Sequence, residues 1–458
     1  MNNKFKKIAT LALSAVMLMQ VAGCGPKPVE DGKITLRLWT KPTQDAKPEE
    51  IEYHDKYMAD LKAKFPNVIF DEAITPEGSD YRQEYDKALM AGTAPAFMNI
   101  LSYTDIPTRI ENGTIADITK YVEDWDLRKE GKIFTTFDEA ITKDGNWYAI
   151  PYKAYTQACL VNKKLLRENG EDENNLPKTW TEFAEQGQRI TDFSIPRVGY
   201  ALVGMDWCAW PYTAWVWSAG GEMVRKNDDG TYKIAFNEPE GVDAAMFMNE
   251  MIWKYKMTQK DVLMSIGDLG KLAQNETACY SWNQLNVIGK TEIEQYNLDL
   301  NDFTVMSMPV KDESIPNPAL AGGEVVTFNP KLTEEELAVA VEVAKYMYYS
   351  DEQMQLYFDF MKAFNFQDTF VPGRIDLYEK KMAVNENLSE STRQEIMSLS
   401  LNAKPEPYCP HWGDVKTELV NPLQTIFLKE GITREEAQKL LDDCANTLYE
   451  KYPETFKK

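Results

Sequence analysis

The sequence is poor in the residues that build catalytic and metal centres. Only two of its 458 residues are histidine and only six are cysteine. His54 and His411 lie far apart, which excludes an HExxH zinc motif and leaves little room for a histidine-based catalytic triad. No CxxC pair occurs, and the G-x-S-x-G, P-loop and G-x-G-x-x-G motifs are absent as well. We therefore expect no metal site and no cofactor.

Long apolar runs are also scarce, and the one present stands near the start of the chain. Three lysines within the first seven residues precede an apolar run from Ile8 to Val21, which is typical of an export signal and too short for a stable membrane-spanning helix. Val21-Ala-Gly-Cys24 resembles a bacterial lipobox, in which the cysteine carries diacylglycerol as a membrane anchor. We expect residues 1–23 to be a cleaved signal peptide, Cys24 to be lipidated and residues 24–32 to form a tether. An ordinary secretory signal with a coincidental cysteine is the alternative.

Positive charge is in deficit. The 72 acidic residues outnumber the 50 basic ones, and the formal net charge is −22. Such a surface argues against binding to nucleic acid and to anionic lipid headgroups. The chain is long enough for two domains with substantial cores. The other cysteines are expected to be buried small hydrophobic residues, with a single disulfide as the alternative: Cys159, Cys208, Cys279, Cys409 and Cys444.

Strand and helix patterns alternate in the first hundred residues. Ile34 to Trp39 alternates apolar and polar side chains as a strand does, and Glu49 to Phe65 has helical spacing. Val68 to Phe70 predicts a second strand, Tyr81 to Met90 a second helix, and Ala96 to Leu101 a third strand. This succession is typical of a parallel α/β sheet.

Six short segments carry a resemblance to a known family. They are Phe65–Val68, Ala91–Pro95, Glu111–Thr119, Asp144–Pro151, Val161–Lys163 and Pro177–Phe183. In this order and spacing they resemble family 1 extracellular solute-binding proteins, the carbohydrate-binding lipoproteins of ABC importers related to maltose-binding protein. The similarity runs from residue 33 to about residue 450. One departure is Ala96, where the family usually has an aspartate.

The resemblance implies a two-lobed periplasmic-binding-protein-like fold of type II, with a ligand cleft between the α/β lobes. Residues 33–155 and 308–366 would form lobe 1, and residues 156–307 and 367–458 lobe 2. The chain would cross between the lobes near Tyr155, Pro309 and Gln367. In open α/β folds the ligand lies at the carboxyl ends of the strands.

Sugars present apolar C–H faces and many hydroxyls, so a sugar site needs aromatic platforms with carboxylates, amides and a few cations around them. Some of the candidates for such a site have an alternative role. Trp39 could instead pack against the first helix, Gly323 and Glu324 could form a plain turn, and Arg374 could cap a helix. The ligand-binding candidates, at strand ends and lobe crossings, are Trp39, Lys41, Tyr103, Asp105, Tyr152, Tyr155, Trp207, Trp210, Trp282, Asn283, Gly323, Glu324, Arg374 and Trp412.

Residues 206–221 are the most aromatic stretch of the chain. Trp210-Pro211 predicts a helix start, since proline favours the first turn, and Gly220-Gly221 predicts its end. Trp207 would then lie in the loop before the helix, where relatives place a sugar-stacking aromatic residue. Trp215 and Trp217 lie deeper in the helix, so we expect them to be core residues.

The leading functional hypothesis is a non-enzymatic, monomeric receptor on the outer face of the cell membrane. It would close around an oligosaccharide and deliver it to the permease of an ABC transporter. Two alternatives stay open. One is a binding protein of the same fold for a peptide or another non-sugar solute, and the other is an exported glycoside hydrolase that uses a carboxylate pair.

Overall fold

The computed structural model describes residues 32–76, 81–264, 271–272, 276–284, 299–316 and 319–458. The predicted signal peptide, Cys24 and the tether up to residue 31 lie outside these ranges. No helix within them is both long and apolar enough to cross a membrane.

Within these ranges the strands are β1 Ile34–Lys41, β2 Val68–Ile74, β3 Phe97–Ser102, β4 Thr142–Lys143, β5 Asn146–Trp147, β6 Ala149–Asn162, β7 Val198–Ala201, β8 Val224–Lys226, β9 Tyr232–Ile234, β10 Ala278–Gln284, β11 Phe303–Met306, β12 Leu320–Phe328, β13 Val371–Pro372 and β14 Lys404–Pro405. The α-helices are α1 Pro48–Lys64, α2 Tyr81–Ala91, α3 Ile106–Glu111, α4 Thr119–Val122, α5 Asp126–Lys129, α6 Asp138–Ile141, α7 Lys163–Glu168, α8 Trp180–Ile190, α9 Ala209–Ser218, α10 Pro239–Trp253, α11 Glu334–Tyr349, α12 Asp351–Ala363, α13 Tyr378–Ala383, α14 Glu390–Leu401, α15 Trp412–Leu428 and α16 Arg434–Lys451.

The helices begin where the sequence supplies capping groups. Thr333 and Thr433 each form a capping box with the glutamate three residues later, at the starts of α11 and α16. In each pair the threonine side chain accepts from the glutamate backbone N–H, and the glutamate side chain accepts from the threonine backbone N–H. At the start of α12, Ser350 accepts from the backbone N–H of Gln353.

The first part of the chain builds a sheet around β1. β1 and β2 pair in parallel, with Leu36 opposite Phe70. The N–H of Ala96 donates to the carbonyl of Arg37 at 2.8 Å, which joins β1 to the start of β3. β3 is antiparallel to β12, and β12 is antiparallel to β6. Ala96 is buried within this network, so it contributes to packing and hydrogen bonding of the sheet.

The 14-residue strand β6 pairs with two different sets of strands along its length. Its first half pairs with β12 and β13, and its second half pairs with β10 and β11. β10 also runs parallel to β7. Side chains along β6 therefore lie between the two sets of secondary structure.

The apolar core consists of separate clusters on the two sides of β6 and one cluster between them. One cluster joins β1, α1, β3 and α11, and includes Leu36, Phe97 and Val343. A second, larger cluster joins α8, α9, α10, α15 and α16, and includes Trp215 and Leu419. A third cluster, around Phe137 and the middle of β6 and β12, lies where the strands are shared.

The fold decides between the alternatives that the sequence left open for the glycines before Val325 and for the cysteines. Gly322, Gly323 and Glu324 do not form a turn before a strand, because they lie inside β12 and pair with β6. The five cysteines named above are buried and free, so they pack as small hydrophobic residues without a disulfide. Burial raises the pKa of the Cys208 and Cys444 thiols to about 12, which keeps them protonated.

Candidate ligand-binding site

Five aromatic residues from four parts of the chain meet at β6. The Trp210 ring lies 4.9 Å from that of Trp282, 5.9 Å from that of Trp207 and 6.0 Å from that of Tyr155, and the Tyr155 ring lies 5.7 Å from that of Phe370. All four pairs are edge-to-face or tilted, and aromatic quadrupoles favour such arrangements over a face-to-face sandwich. We call these five residues the tryptophan cluster.

The tryptophan cluster changes from exposed to buried along the stretch that the sequence singled out. Every residue of α9 is buried, which fits its apolar side chains on all faces. Trp207 precedes the helix and is 46% exposed, whereas Trp210 is 5% exposed and Trp215 is fully buried. The prediction that Trp215 and Trp217 are core residues is therefore confirmed, and Trp207 is the residue of this stretch with an accessible ring.

Tyr155 owes its position to the glycine opposite it. Gly322 pairs with Tyr155 across β6 and β12. A Cβ at Gly322 would lie 2.0 Å from a carbon of the Tyr155 ring, so any side chain there would displace the ring. Burial raises the pKa of Tyr155, and the charge of Glu324 raises it further. The phenol is therefore a neutral hydrogen-bonding group.

An ion pair stands next to Tyr155 on the same two strands. Lys153 and Glu324 are register partners, and their charged atoms lie 3.1 Å apart. Burial alone would lower the pKa of Lys153, but the charge and hydrogen bond of Glu324, together with Tyr152 and Asp368, outweigh it and the pKa is raised. The Lys153 Nζ also lies 5.0 Å from the Phe370 ring and 5.5 Å from the Tyr152 ring. Lys153 thus joins the tryptophan cluster to a neighbouring cavity.

Asp105 is also held in an ion pair. Its carboxylate accepts from the Arg82 guanidinium at 2.6 Å. Burial would lower the pKa of Arg82, but the charge and hydrogen bond of Asp105, together with Tyr81 and Tyr155, outweigh it and the pKa is raised. Both Arg82 and Tyr81, at the start of α2, act electrostatically on Tyr155. This pair therefore adds charged hydrogen-bonding groups near the aromatic residues.

A cavity of about 690 Å³ adjoins the cluster through Lys153 and Phe370. Residues near the carboxyl ends of β1, β2 and β3 form one wall, and α1, α11 and α12 form the other. Three predicted ligand residues, Trp39, Lys41 and Tyr152, line it. We call it the tyrosine cavity, because its lining also includes Tyr53, Tyr57, Tyr348 and Tyr357.

Trp39 and Lys41 reach the cavity from the end of β1. The Trp39 ring is half-buried and packs edge-on against Tyr85 of α2 at 6.4 Å. Trp39 therefore packs on the second helix and also lines the cavity, whereas the alternative had it packing on the first helix. Lys41 is exposed at the end of the strand.

A buried ion pair forms another part of the cavity wall. The Lys381 ammonium lies 2.7 Å from the Asp368 carboxylate, and both side chains are almost fully buried. Asp368 also accepts from the Tyr357 hydroxyl and from the N–H of Phe370. Burial would raise the pKa of Asp368, but Lys381 and these hydrogen bonds lower it. Asp368 is therefore a charged, fully hydrogen-bonded group.

Three sequence candidates have structural partners inside the fold. Tyr103 is fully buried, stacks on Phe137 at 3.9 Å and donates to two backbone carbonyls. Trp412 is fully buried and donates through Nε1 to Glu406 at 2.7 Å. Arg374 is buried and pairs with Asp351 and Asp376. We leave these three out of the candidate site, because their polar groups hold the fold together.

Gly323 is a packing residue as well. A Cβ there would lie 2.2 Å from the Phe137 ring, so the glycine makes room for that ring. The neighbouring Glu324 belongs to the site through Lys153. Trp282 lies in the cluster, and Asn283 follows it in β10, but the side chain of Asn283 lies outside the described residues.

Sequence reasoning missed several residues of the site. Phe370 follows the predicted crossing near Gln367 and gave no pattern of its own. Tyr53 and Tyr57 are four residues apart in α1, a spacing that helices use equally for core packing. Tyr348 and Gln353 come from α11 and α12, and only the fold brings them to the ends of β1 and β3. The described residues contain no cluster of side chains that could hold a metal ion.

Comparison with known proteins places this site in context. A family model described as bacterial extracellular solute-binding protein matches residues 53–354, more than half of the chain. A maltotriose-binding protein of Pyrococcus abyssi is 27% identical over 247 residues, which are 53% of this chain and 47% of that protein. The sn-glycerol-3-phosphate-binding periplasmic protein UgpB of Salmonella typhimurium is 25% identical over 210 residues, 43% of this chain and 46% of that protein. The chain thus spans about half the length of the curated relatives it matches.

Solved structures match over nearly the whole chain. A solute-binding protein of an ABC transporter from Thermotoga lettingae, bound with α-D-tagatose, gives a TM-score of 0.71 at 20% identity and covers 91% of this chain and 100% of its own. Maltose-bound MalE3 of T. maritima gives 0.69 at 21% identity, covering 91% and 99%. At these identities the likeness shows the fold alone, which is the α/β periplasmic-binding-protein-like fold. With this fold and a family model matched over residues 53–354, the chain belongs to the bacterial extracellular solute-binding protein family 1, a family of binding proteins and not of enzymes.

Proposed function

We propose that the protein is the solute-binding component of an ABC importer and binds an oligosaccharide by aromatic stacking and hydrogen bonds. The observation that carries this proposal is the tryptophan cluster, in which the exposed Trp207 ring continues into the buried Trp210 and Trp282 and the partly buried Tyr155. A rigid aromatic surface with charged groups beside it suits the C–H faces and hydroxyls of a sugar.

The ligand would lie between two lobes joined by β6. We propose lobe 1 as residues 33–155 and 308–366, and lobe 2 as residues 156–307 and 367–458. The separate apolar clusters on either side of β6 support this division. Ligand contacts from both lobes would favour a closed arrangement over an open one and so signal occupancy to the permease.

The relatives differ in what they bind, and the charges near the site favour a sugar. One relative binds maltotriose and another sn-glycerol 3-phosphate, by their names. A phosphate would require unpaired cations at the binding surface. Here Lys153 is paired with Glu324 and Arg82 with Asp105, so the cations beside Tyr155 already have anionic partners. A neutral polyhydroxylated ligand fits this arrangement better.

Binding measurements on the chain without residues 1–23 test this function. We expect intrinsic tryptophan fluorescence to change on addition of a neutral oligosaccharide from a panel of malto-, cello-, xylo- and manno-oligosaccharides. Isothermal titration calorimetry should then give a dissociation constant near the micromolar range, about −8 kcal/mol. Unchanged ligand after prolonged incubation would separate binding from hydrolysis. Binding of sn-glycerol 3-phosphate or peptides, with no response to any sugar, would contradict the proposal.

We also propose that Cys24 carries a lipid anchor that keeps the protein at the outer face of the membrane. The support is the sequence Val21-Ala-Gly-Cys24, with the signal-like segment before it. Radiolabelled fatty acid should be incorporated by the natural chain and not by a Cys24→Ser variant, which should be released into the medium. Membrane retention of that variant would contradict the anchor.

A further inference from the structure

The tyrosine cavity offers polar groups that the fold leaves without partners. The hydroxyls of Tyr53, Tyr57 and Tyr348 make no hydrogen bond within the part of the chain that the structure describes, although all three side chains line the cavity. Gln353 is only 2% exposed, and its Oε1 is buried without a partner among the described residues. Buried polar atoms are normally paired, so the Gln353 Oε1 lacks a partner that it would be expected to have. This oxygen and the three hydroxyls in the lining are available to hydrogen-bond a molecule in the cavity.

The charges of the wall are already balanced. Lys381 is paired with Asp368, and Lys153 with Glu324. Burial raises the pKa of Tyr53 and Tyr57 above that of a free tyrosine, so both remain neutral hydroxyls. Lys41, at the end of β1, and Glu50, in α1, add one exposed charge of each sign to the lining. The interior thus favours an uncharged, hydroxyl-rich occupant over an anion.

The cavity is continuous with the tryptophan cluster. Both Lys153 and Phe370 line it, and Phe370 packs against Tyr155 of the cluster at 5.7 Å. A linear ligand stacked beside Tyr155 could therefore pass Lys153 and continue between α1 and the ends of β1 and β3. The volume of about 690 Å³ is within the range of about 300–1,000 Å³ of small-molecule sites.

We propose that the tyrosine cavity is an extension of the binding site that takes one end of a linear, uncharged oligosaccharide. The inference rests on the proposed sugar-binding function and adds a direction and a length requirement to it. Short ligands would be held by the tryptophan cluster, whereas longer ones would also reach Tyr57, Tyr348 and Gln353.

Calorimetry with oligosaccharides of two to six units tests the extension. The double variant Tyr57→Phe/Tyr348→Phe removes two hydroxyls and keeps the rings, so the fold should persist. We expect it to weaken binding of the longest bound oligomer about tenfold, as the loss of two hydrogen bonds implies, and to leave the disaccharide within about twofold of the wild type. Thr43→Trp adds bulk to a residue of the lining. It should likewise weaken binding of the longest oligomer and leave binding of the disaccharide nearly unchanged.

Two controls match these variants. Tyr346→Phe changes a tyrosine on the same helix, α11, that packs against Phe65 at 5.8 Å and is absent from the cavity lining. Gln44→Trp adds the same bulk at an exposed neighbour of Thr43. Neither should change the affinity for any length.

Each outcome separates the two proposals. Equal affinities of the cavity variants and the wild type for every length would overturn the extension and leave the sugar-binding function standing. A wild-type protein that gains nothing in affinity beyond a disaccharide would do the same. No binding of any neutral oligosaccharide by the wild type would overturn both.

Discussion

The tryptophan cluster and the tyrosine cavity are both aromatic, but their rings are used differently. In the cluster the rings pack against each other, and only Trp207 keeps a large exposed face. In the cavity the tyrosines come from helices α1, α11 and α12 and surround an open volume. Dense aromatic sequence thus produced mainly a packed support, whereas scattered aromatic residues produced the space that a ligand could fill.

The largest effect on stability should come from Trp215, in the buried helix α9 that carries Trp210 of the tryptophan cluster. Trp215 is fully buried and contacts Trp180, Phe183 and Phe247. Trp215→Ala should lower the free energy of unfolding by about 4 kcal/mol, since it removes a large buried ring and leaves a cavity. Urea denaturation followed by circular dichroism measures it. A loss no larger than that of the exposed-site variant Trp207→Ala, about 0.5 kcal/mol, would contradict the division of this stretch into core and surface.

A smaller but still large effect is expected at the wall of the cavity. Lys381→Met leaves the Asp368 carboxylate buried without its cation and should cost about 3 kcal/mol of unfolding free energy. Adding Asp368→Asn should recover part of that loss, because no buried charge then remains. Denaturant titration of the two variants gives the difference. A double variant less stable than Lys381→Met would show that the pair is not the source of the effect.

A moderate effect is expected on affinity at the exposed end of the cluster. Trp207→Ala should weaken oligosaccharide binding about fivefold, about 1 kcal/mol, because a stacking face is lost, while stability changes little. Calorimetry with the best-binding sugar measures the change. Phe193→Ala, at a similarly exposed aromatic residue, serves as the control. Equal effects of the two substitutions would remove Trp207 from the site.

The smallest effect should be the acid sensitivity of the cavity wall. The pKa of Asp368 is lowered, since Lys381 and its hydrogen bonds outweigh burial. Its contribution to stability is therefore present above the unfolded-state pKa of about 3.9 and is lost as the pH falls through the lower folded-state pKa. Thermal unfolding between pH 7 and pH 2.5 should show a shallower acid loss for Asp368→Asn than for the wild type. Identical pH profiles would contradict this assignment.

Much of the fold could be predicted because its signals are local. The strands and helices of the first hundred residues follow from apolar periodicity, and the starts of α11 and α16 follow from threonine and glutamate three residues apart. The alternative of a plain turn at Gly323 and Glu324 is wrong, because both residues pair within β12. The glycines at 322 and 323 are explained by the close packing of Tyr155 and Phe137 across the strands.

The candidate site was predicted only in part, because the sequence identifies single residues and not the long-range contacts between them. Trp207, Trp210, Trp282 and Tyr155 were identified one by one, and their meeting in one cluster depends on the pairing of β6 with β10 and β12. Tyr103 and Trp412 have the same chemical character as these residues. Their burial and internal hydrogen bonds depend on neighbours far away in the chain, such as Ala321 for Tyr103.

The sequence by itself determined the α/β class, the family resemblance and the assignment of Trp207 to a loop and of Trp215 and Trp217 to the core, because these depend on periodicity and on short segments. The burial of Trp210 was visible only in the structure. Only the tertiary structure decided which aromatic residues face an open volume. Burial and ligand access depend on distant segments that pack together, and α1, α11 and α12 reach the ends of β1 and β3 from opposite parts of the chain. The tyrosine cavity therefore could not be predicted from the sequence, whereas the aromatic residues that follow Trp207 in the chain could be identified there.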